Sequence, residues 1–136
     1  MRALTALASA ALLVAGCETA FVGRAPGGRY LLVEVDGRAP PHVTDPASDC
    51  PTTIAAGHVD LDPLARRFDI VLEQRSPCMA GGGTTSRTTG TYLRSGSRLE
   101  LETADGNRLV ATETGNTLSL NYHGPRLRFR QTAPQR

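Results

Sequence analysis

Histidines and paired carboxylates are the side chains of this sequence most suited to metal binding or proton transfer. His42, His58 and His123 stand far apart, and none belongs to an HExxH motif, which places two imidazoles on one helix face. Asp60 and Asp62 are two residues apart beside a proline, a pattern typical of a turn rather than of a catalytic pair. These residues predict neither a metal centre nor an acid–base pair.

Nucleophile and phosphate-binding motifs are missing from the sequence as well. No serine lies in a Gly-x-Ser-x-Gly context. The run Gly81-Gly82-Gly83-Thr84-Thr85-Ser86 has the composition of a phosphate-binding loop, but such a loop needs a lysine, and all fifteen basic residues are arginine. We therefore interpret residues 76–89 as a flexible loop, and we expect a protein that is not an enzyme and holds no cofactor.

Cysteine is the residue type whose chemistry the sequence does predict. Cys17 follows Leu13-Val14-Ala15-Gly16, at the end of an apolar run that begins at Ala3, just after Arg2. The run is too short to span a bilayer as a helix. A basic residue, a short apolar run and small residues before a cleavage point form the pattern of an export signal.

The segment Leu13 to Cys17 resembles the lipobox of bacterial lipoprotein precursors. The resemblance implies cleavage before Cys17, a diacylglyceryl group on its sulfur and an acyl group on its new amine. Each buried methylene adds about 0.8 kcal/mol, so several chains anchor a protein firmly. Glu18 stands where an aspartate would imply retention in the inner membrane, which favours the periplasmic face of the outer membrane. The alternative is an ordinary secretory signal that leaves Cys17 free.

The two remaining cysteines predict a disulfide. With the first cysteine assigned to lipid, Cys50 and Cys78 form an even pair, which in an exported domain indicates a bond. Pairing the apolar residues of 54–61 with those of 67–73 sets Cys50 opposite Met79, one residue from Cys78. A slip of one residue at the flanking prolines would align the cysteines. A redox or metal pair lacks CxxC spacing, and the closed loop would contribute roughly 3–4 kcal/mol.

Period-two alternation of apolar and polar residues runs through the rest of the chain, as in half-buried strands. Turn signals such as Ser95-Gly96 and Asp105-Gly106 separate the segments. Residues 36–53 contain four prolines and form a long connection rather than a central strand. The predicted strands are 29–35, 54–61, 67–73, 88–94, 97–103, 107–113, 117–122 and 126–131. The expected fold is all-β, an eight-stranded antiparallel up-and-down meander barrel.

Three segments resemble small lipocalin-like bacterial domains: the opening from Tyr30 to Pro41, Thr89-Gly90-Thr91-Tyr92, and Leu127-Arg128-Phe129-Arg130. The resemblance covers about residues 30–131 and implies a lipocalin-like closed barrel. The chain departs from the larger lipocalins in its short strands and in having no tryptophan near its start. An eight-stranded barrel either is filled by its own side chains or holds one small ligand, and the sequence leaves both possibilities open.

These assignments divide the chain into a signal peptide (1–16), a lipidated tether (17–28), a barrel domain (29–131) and a tail (132–136). The net charge of +2 gives no field that favours nucleic acid. We expect a monomeric binding module without a metal, which is anchored in the envelope and binds a small apolar or amphipathic ligand. Two alternatives remain: a protein-binding lipoprotein such as a protease or lysozyme inhibitor, and a structural envelope lipoprotein.

The topology predicts two unlike ends of the barrel. The short-turn end gathers the turns at 62–66, 95–96 and 114–116 and receives the tether. The long-loop rim gathers residues 36–53, residues 74–87 and the hairpins at 105 and 123–125. Long loops on a rigid scaffold often carry binding, and a disulfide between them would lower the entropy lost on binding. We expect recognition at the long-loop rim, facing away from the membrane, by His42, Met79, Arg87 and His123.

Three arginines on one face of the last predicted strand offer a second binding surface. Arg126, Arg128 and Arg130 alternate with apolar residues and therefore share a face. They either contact anionic lipid headgroups or form a solvated face paired with Glu100 and Glu102.

The predicted anchor has a direct test. Because thioether formation requires the sulfur of Cys17, a clickable palmitate analogue fed to exporting bacterial cells should label the wild-type chain and not Cys17→Ser. Labelling is read by in-gel fluorescence after purification. Equal labelling of both chains would show that the lipobox assignment is wrong.

Overall fold

The computed structural model describes residues 27–132, and this part of the chain is built from nine β-strands. The predicted signal peptide, Cys17, most of the predicted tether and the last four residues lie outside the described range. The strands are β1 Gly28–Val35, β2 His42–Val43, β3 Thr53–Asp62, β4 Arg67–Arg75, β5 Gly83–Ser95, β6 Arg98–Thr103, β7 Arg108–Thr114, β8 Thr117–Asn121 and β9 Arg126–Gln131.

Eight of these strands form a closed antiparallel barrel. The neighbour order is β1-β9-β8-β7-β6-β5-β4-β3, and β1 also pairs with β3, which joins the two ends of the sheet. Alternation sets the two faces: in β6, Leu99 and Leu101 are buried, whereas Glu100 and Glu102 are exposed. The predicted all-β, eight-stranded up-and-down barrel is confirmed.

The contacts that join β1 to β3 and close the barrel differ between its two ends. Near the short-turn end the strands pair directly, from Gly28 opposite Leu61 to Leu31 opposite His58. Towards the long-loop rim, Arg38 bridges back to β1, and β2 pairs with the first two residues of β3. The long connection therefore contains a two-residue edge strand, and its prolines stay outside the ladders.

The predicted register between β3 and β4 is confirmed, and the one-residue slip lies within β3 rather than at the flanking prolines, where it was predicted. The three apolar matches are Leu61–Phe68, Val59–Ile70 and Gly57–Leu72. An irregularity between Ile54 and Ala56 then shifts the pairing by one residue. Beyond the ends of the two strands, the shifted register aligns Cys50 with Cys78, whose Cα atoms are 5.6 Å apart at disulfide distance.

The interpretation of residues 76–89 as a flexible loop is wrong from Gly83 onward. β5 has thirteen residues, and its residues from Gly83, opposite Arg75, to Thr91, opposite Arg67, pair with β4. Only residues 76–82 remain as a loop. Ser86 and Thr88 lie opposite the buried Leu72 and Ile70 and share their inward face. Polar residues at inward positions hide the period of two, although threonine favours strands.

Gly90 in β5 is required by a close approach of two backbones. It is paired with Phe68 of β4 on one side and with Thr103 of β6 on the other. A Cβ atom at Gly90 would lie 1.9 Å from the carbonyl oxygen of Glu102 and 2.8 Å from Cε1 of Phe68. Only glycine lets β5 and β6 pack this closely while an aromatic ring covers the position.

Gly90→Ala should therefore destabilise the barrel by about 2 kcal/mol or more, because the backbone of β6 must move to admit the methyl group. Gly83→Ala is a matched control in the same strand, since its added Cβ would lie 3.3 Å from the nearest atom, the oxygen of Gln74. Urea unfolding of both oxidised variants measures the change. Equal midpoints for the two variants would contradict the close approach.

Candidate functional site

The barrel interior is occupied by the protein's own side chains. Buried apolar residues come from all eight barrel strands, and those that are fully buried include Tyr30, Ile54, Ile70, Leu72 and Phe129. Eight strands enclose a space just wide enough for side chains to fill. A ligand inside the barrel would therefore have to displace packed side chains, at a cost in buried apolar area.

Polar groups occupy both ends of this interior. Near the long-loop rim, the hydroxyl oxygens of Thr88 and Tyr122 are 2.6 Å apart, and Ser86 Oγ is buried without a hydrogen-bond partner in the described chain. Near the short-turn end, the buried Tyr30 hydroxyl likewise makes no hydrogen bond of acceptable geometry within residues 27–132. Burial, followed by the carboxylate of Glu113, raises the pKa of Tyr30 to about 12.

The long-loop rim is held together by the disulfide and by turns on each side of it. The amide of Cys50 donates to Ser48 Oγ at 3.1 Å. In the opposite loop, the amide of Met79 donates to the oxygen of Ser76 at 3.1 Å, and that of Gly82 to the oxygen of Met79 at 2.9 Å. The bond between Cys50 and Cys78 thus joins two locally ordered loops, and the pairing of these two cysteines agrees with the prediction.

Three of the four residues predicted for the rim lie there. His42 is half-buried on β2 opposite Ile54, Met79 is half-buried in its turn, and His123 is exposed in the last hairpin. The ring of His123 meets Tyr122 edge-on, with centroids 4.6 Å apart. Among the described residues, no hydrogen bond or ion pair connects any two of the four predicted residues.

Arg87 was wrongly assigned to the rim. It lies within β5, opposite Val71, because β5 begins at Gly83 rather than after the predicted loop. Its guanidinium donates hydrogen bonds to the carboxylate of Asp69 on the outer wall, and Nε lies 3.0 Å from both carboxylate oxygens. Arg87 therefore serves a cross-strand ion pair.

Carboxylates at the long-loop rim form a group that the sequence reading did not single out. Asp45 and Asp49 are exposed in the same loop as Cys50, and no arginine of the described chain forms an ion pair with either. Asp105 lies in the β6–β7 hairpin at the same end of the barrel. The hydroxyl of Thr103 donates a hydrogen bond to its carboxylate and lowers its pKa, and His123 lowers it further with a smaller effect. The sequence already shows both aspartates close to Cys50, in the segment Asp45-Pro46-Ala47-Ser48-Asp49-Cys50.

The outer wall of β3 to β6 carries a shallow groove of about 680 Å³ lined mainly by polar side chains. On one flank, Arg29 contacts Asp60 through two hydrogen bonds of 2.8 and 2.7 Å. That guanidinium holds the pKa of Asp60 below its usual range. Arg29 and Arg87 in this groove are both paired with aspartates, whereas Arg67, which also lines it, forms no ion pair within the described chain.

The predicted pairing of the β9 arginines with β6 glutamates is wrong. β9 neighbours β1 and β8, so Arg128 reaches Glu34 of β1 at 3.0 Å. Glu100 and Glu102 instead pair with arginines close to them in the sheet, Arg98 and Arg108.

Residues 27–132 contain no group of three or more histidines, cysteines, aspartates or glutamates arranged to hold a metal ion. The same range has no helix long and apolar enough to cross a membrane. No protein-family model, curated protein or solved structure matches the chain. The geometry defines a class of protein: a closed eight-stranded antiparallel β-barrel with a filled interior and a disulfide-tied loop rim.

The buried hydroxyl of Tyr30 predicts a pH-dependent stability. Below pH 10 the phenol is neutral in folded and unfolded chains alike, so the full stability is present. Between pH 10 and about 12 the unfolded chain loses this proton first, which lowers the free energy of unfolding by roughly 2 to 3 kcal/mol at most. Tyr30→Phe should remove this alkaline loss and, with no hydrogen bond to break, change stability at pH 7 by less than about 1 kcal/mol.

Tyr122→Phe is the control, because it loses the hydrogen bond to Thr88 and should cost about 1 kcal/mol already at pH 7. Urea unfolding curves at pH 7, 9, 10 and 11 separate the two variants. An alkaline decline of the Tyr30→Phe variant as steep as that of the wild type would contradict the assignment.

Proposed function

We propose that this protein is a lipid-anchored, non-enzymatic module of the bacterial envelope that binds another protein through its long-loop rim. The observation that carries the proposal is the filled interior. When side chains occupy the barrel, recognition has to use the outside. The expected small apolar ligand would need an internal cavity, so we favour the protein-binding alternative, which includes inhibitors of a protease or lysozyme.

The rim is the part of the outside best suited to recognition. The two longest connections of the described chain meet there, and the disulfide between Cys50 and Cys78 restrains both. Ordering loops in advance lowers the conformational entropy that binding must overcome. The ordered outer walls instead present ion pairs that are already satisfied, such as Arg29–Asp60 and Arg87–Asp69.

The carboxylates beside the disulfide favour a basic partner at that part of the rim. Asp45 and Asp49 are exposed there and outside the ion pairs of the described chain, and the rim also carries the exposed Arg38, Arg75 and Arg126. Unpaired carboxylates speed association with a positively charged surface and penalise an acidic one. Anchoring at Cys17, with Glu18 favouring the outer membrane, would present this rim to the periplasm.

The proposal predicts that neutralising the rim weakens binding. The wild-type chain is used to capture partners from a bacterial envelope and secretion extract, and a stoichiometric partner is then purified. Asp45→Asn with Asp49→Asn should raise the Kd for that partner about tenfold or more, with a smaller salt dependence. Calorimetry or surface interferometry gives the constants.

The matched control is Glu100→Gln with Glu102→Gln, which removes the same charge from the outer face of β6 and should leave the Kd unchanged. Loss of binding in the control alone would place recognition on the outer wall. Native mass spectrometry of the wild-type chain provides a second readout. A co-purified small molecule would contradict the protein-binding proposal.

A further inference from the structure

The short-turn end displays a leucine to solvent on a fixed turn. Leu64, at the tip of the connection between β3 and β4, is 96% exposed. The turn is held by the carboxylate of Asp62, whose Oδ1 accepts hydrogen bonds from the amides of Leu64 and Ala65 at 3.0 and 3.1 Å. The oxygen of Arg66 accepts a hydrogen bond from the amide of Tyr92 at 2.9 Å, which ties the turn to β5.

A second exposed leucine lies beside this turn. Leu93 on the outer face of β5 is 62% exposed. It shares a shallow hollow of about 300 Å³ with Pro63, Arg66 and Arg94. Because Pro63, the neighbour of Leu64, lines this hollow together with Leu93, the two exposed leucines lie at the same end of the barrel.

The charge of this end is positive. Arg66, Arg67 and Arg130 are exposed, and no carboxylate of the described chain forms an ion pair with any of them. Arg29 and Arg94 are neutralised by Asp60 and Glu113. The carboxylate of Asp62 faces the amides of its own turn. Basic side chains around exposed leucines are the chemistry that binds an anionic bilayer surface.

The chain also enters the barrel at this patch. Gly27 packs against the turn so closely that a Cβ there would lie 2.7 Å from Cδ of Pro63, the residue before Leu64. Gln131 Nε2 donates to the oxygen of Gly27 at 2.6 Å and fixes this entry point. Cys17 precedes Gly27 by ten residues, a length that spans about 35 Å when fully extended.

We propose that the short-turn end docks on the anionic surface of the bilayer in which the chain is anchored. Leu64 and Leu93 reach the boundary between headgroups and acyl chains, and Arg66 and Arg67 contact the lipid phosphates. The orientation rests on the anchor at Cys17 in the proposed function. This docking holds the barrel upright on the membrane, with the long-loop rim pointing away from the bilayer.

The chain has no tryptophan, so a single introduced indole reports its own surroundings. Leu64→Trp and Ala80→Trp, both at exposed positions, place the reporter at opposite ends of the barrel. The full chain, purified from membranes of an exporting host, is reconstituted in vesicles of phosphatidylethanolamine and phosphatidylglycerol. Leu64→Trp emission should shift to shorter wavelength and be quenched at least twofold by brominated acyl chains, whereas Ala80→Trp emission should show neither effect.

Charge and anchoring are tested separately. Adding Arg66→Ser and Arg67→Ser to the Leu64→Trp chain should at least halve the quenching, as should vesicles of phosphatidylcholine alone; unchanged quenching in both cases would overturn the role of the arginines. Vesicle flotation reports the anchor. Chains that float with unquenched Leu64→Trp overturn the docking and leave the anchored function standing, whereas chains that fail to float overturn both. Quenching of Ala80→Trp to the same degree overturns the upright orientation.

Discussion

Closure of the sheet through β1 is the constraint on which the rest of the structure depends. β1 bonds to β9 along most of its length and to β3 over Gly28–Leu31, so the meander becomes a wall with an inside and an outside. Once closed, a slip of one residue in any strand would turn apolar side chains outward. The filled interior follows from that closure, and so does the restriction of recognition to the outer surface and the two ends.

The sequence predicted strands well where inward positions are apolar and badly where they are not. The segments that became β6, β8 and β9 were placed to within one residue, because leucine and phenylalanine mark their buried face. The start of β5, residues 83–87, was missed because its inward residue Ser86 is polar. The apolar residue opposite Ser86 is Leu72 of β4, across the ladder. A hydrophobic pattern read within one segment does not show such a neighbour.

The predicted strand order alone located the candidate site, whereas local motifs did not identify its residues correctly. An up-and-down order puts both long connections at one end whatever their residues, so the rim and its disulfide were predictable. Arg87 was misplaced because the start of β5 was misplaced. Asp45 and Asp49 were overlooked because motif searches look for spacing, whereas an exposed acidic loop acts through its charge. The sequence shows Leu64 as an apolar residue in a polar turn, but no motif points to it.

The exposed leucines and arginines of the short-turn end give the barrel a direction relative to any anionic membrane. Each arginine near such a surface contributes about 1 kcal/mol, and a leucine that leaves water contributes roughly 1.5–3 kcal/mol. Arg66, Arg67 and Leu64 together would bind a free protein weakly. A protein held by a short tether experiences the surface at an effective concentration in the millimolar range, where weak contacts are populated. The long-loop rim of the described chain carries both carboxylates and arginines and has no large exposed apolar residue, so the leucine contacts at the other end favour a single orientation.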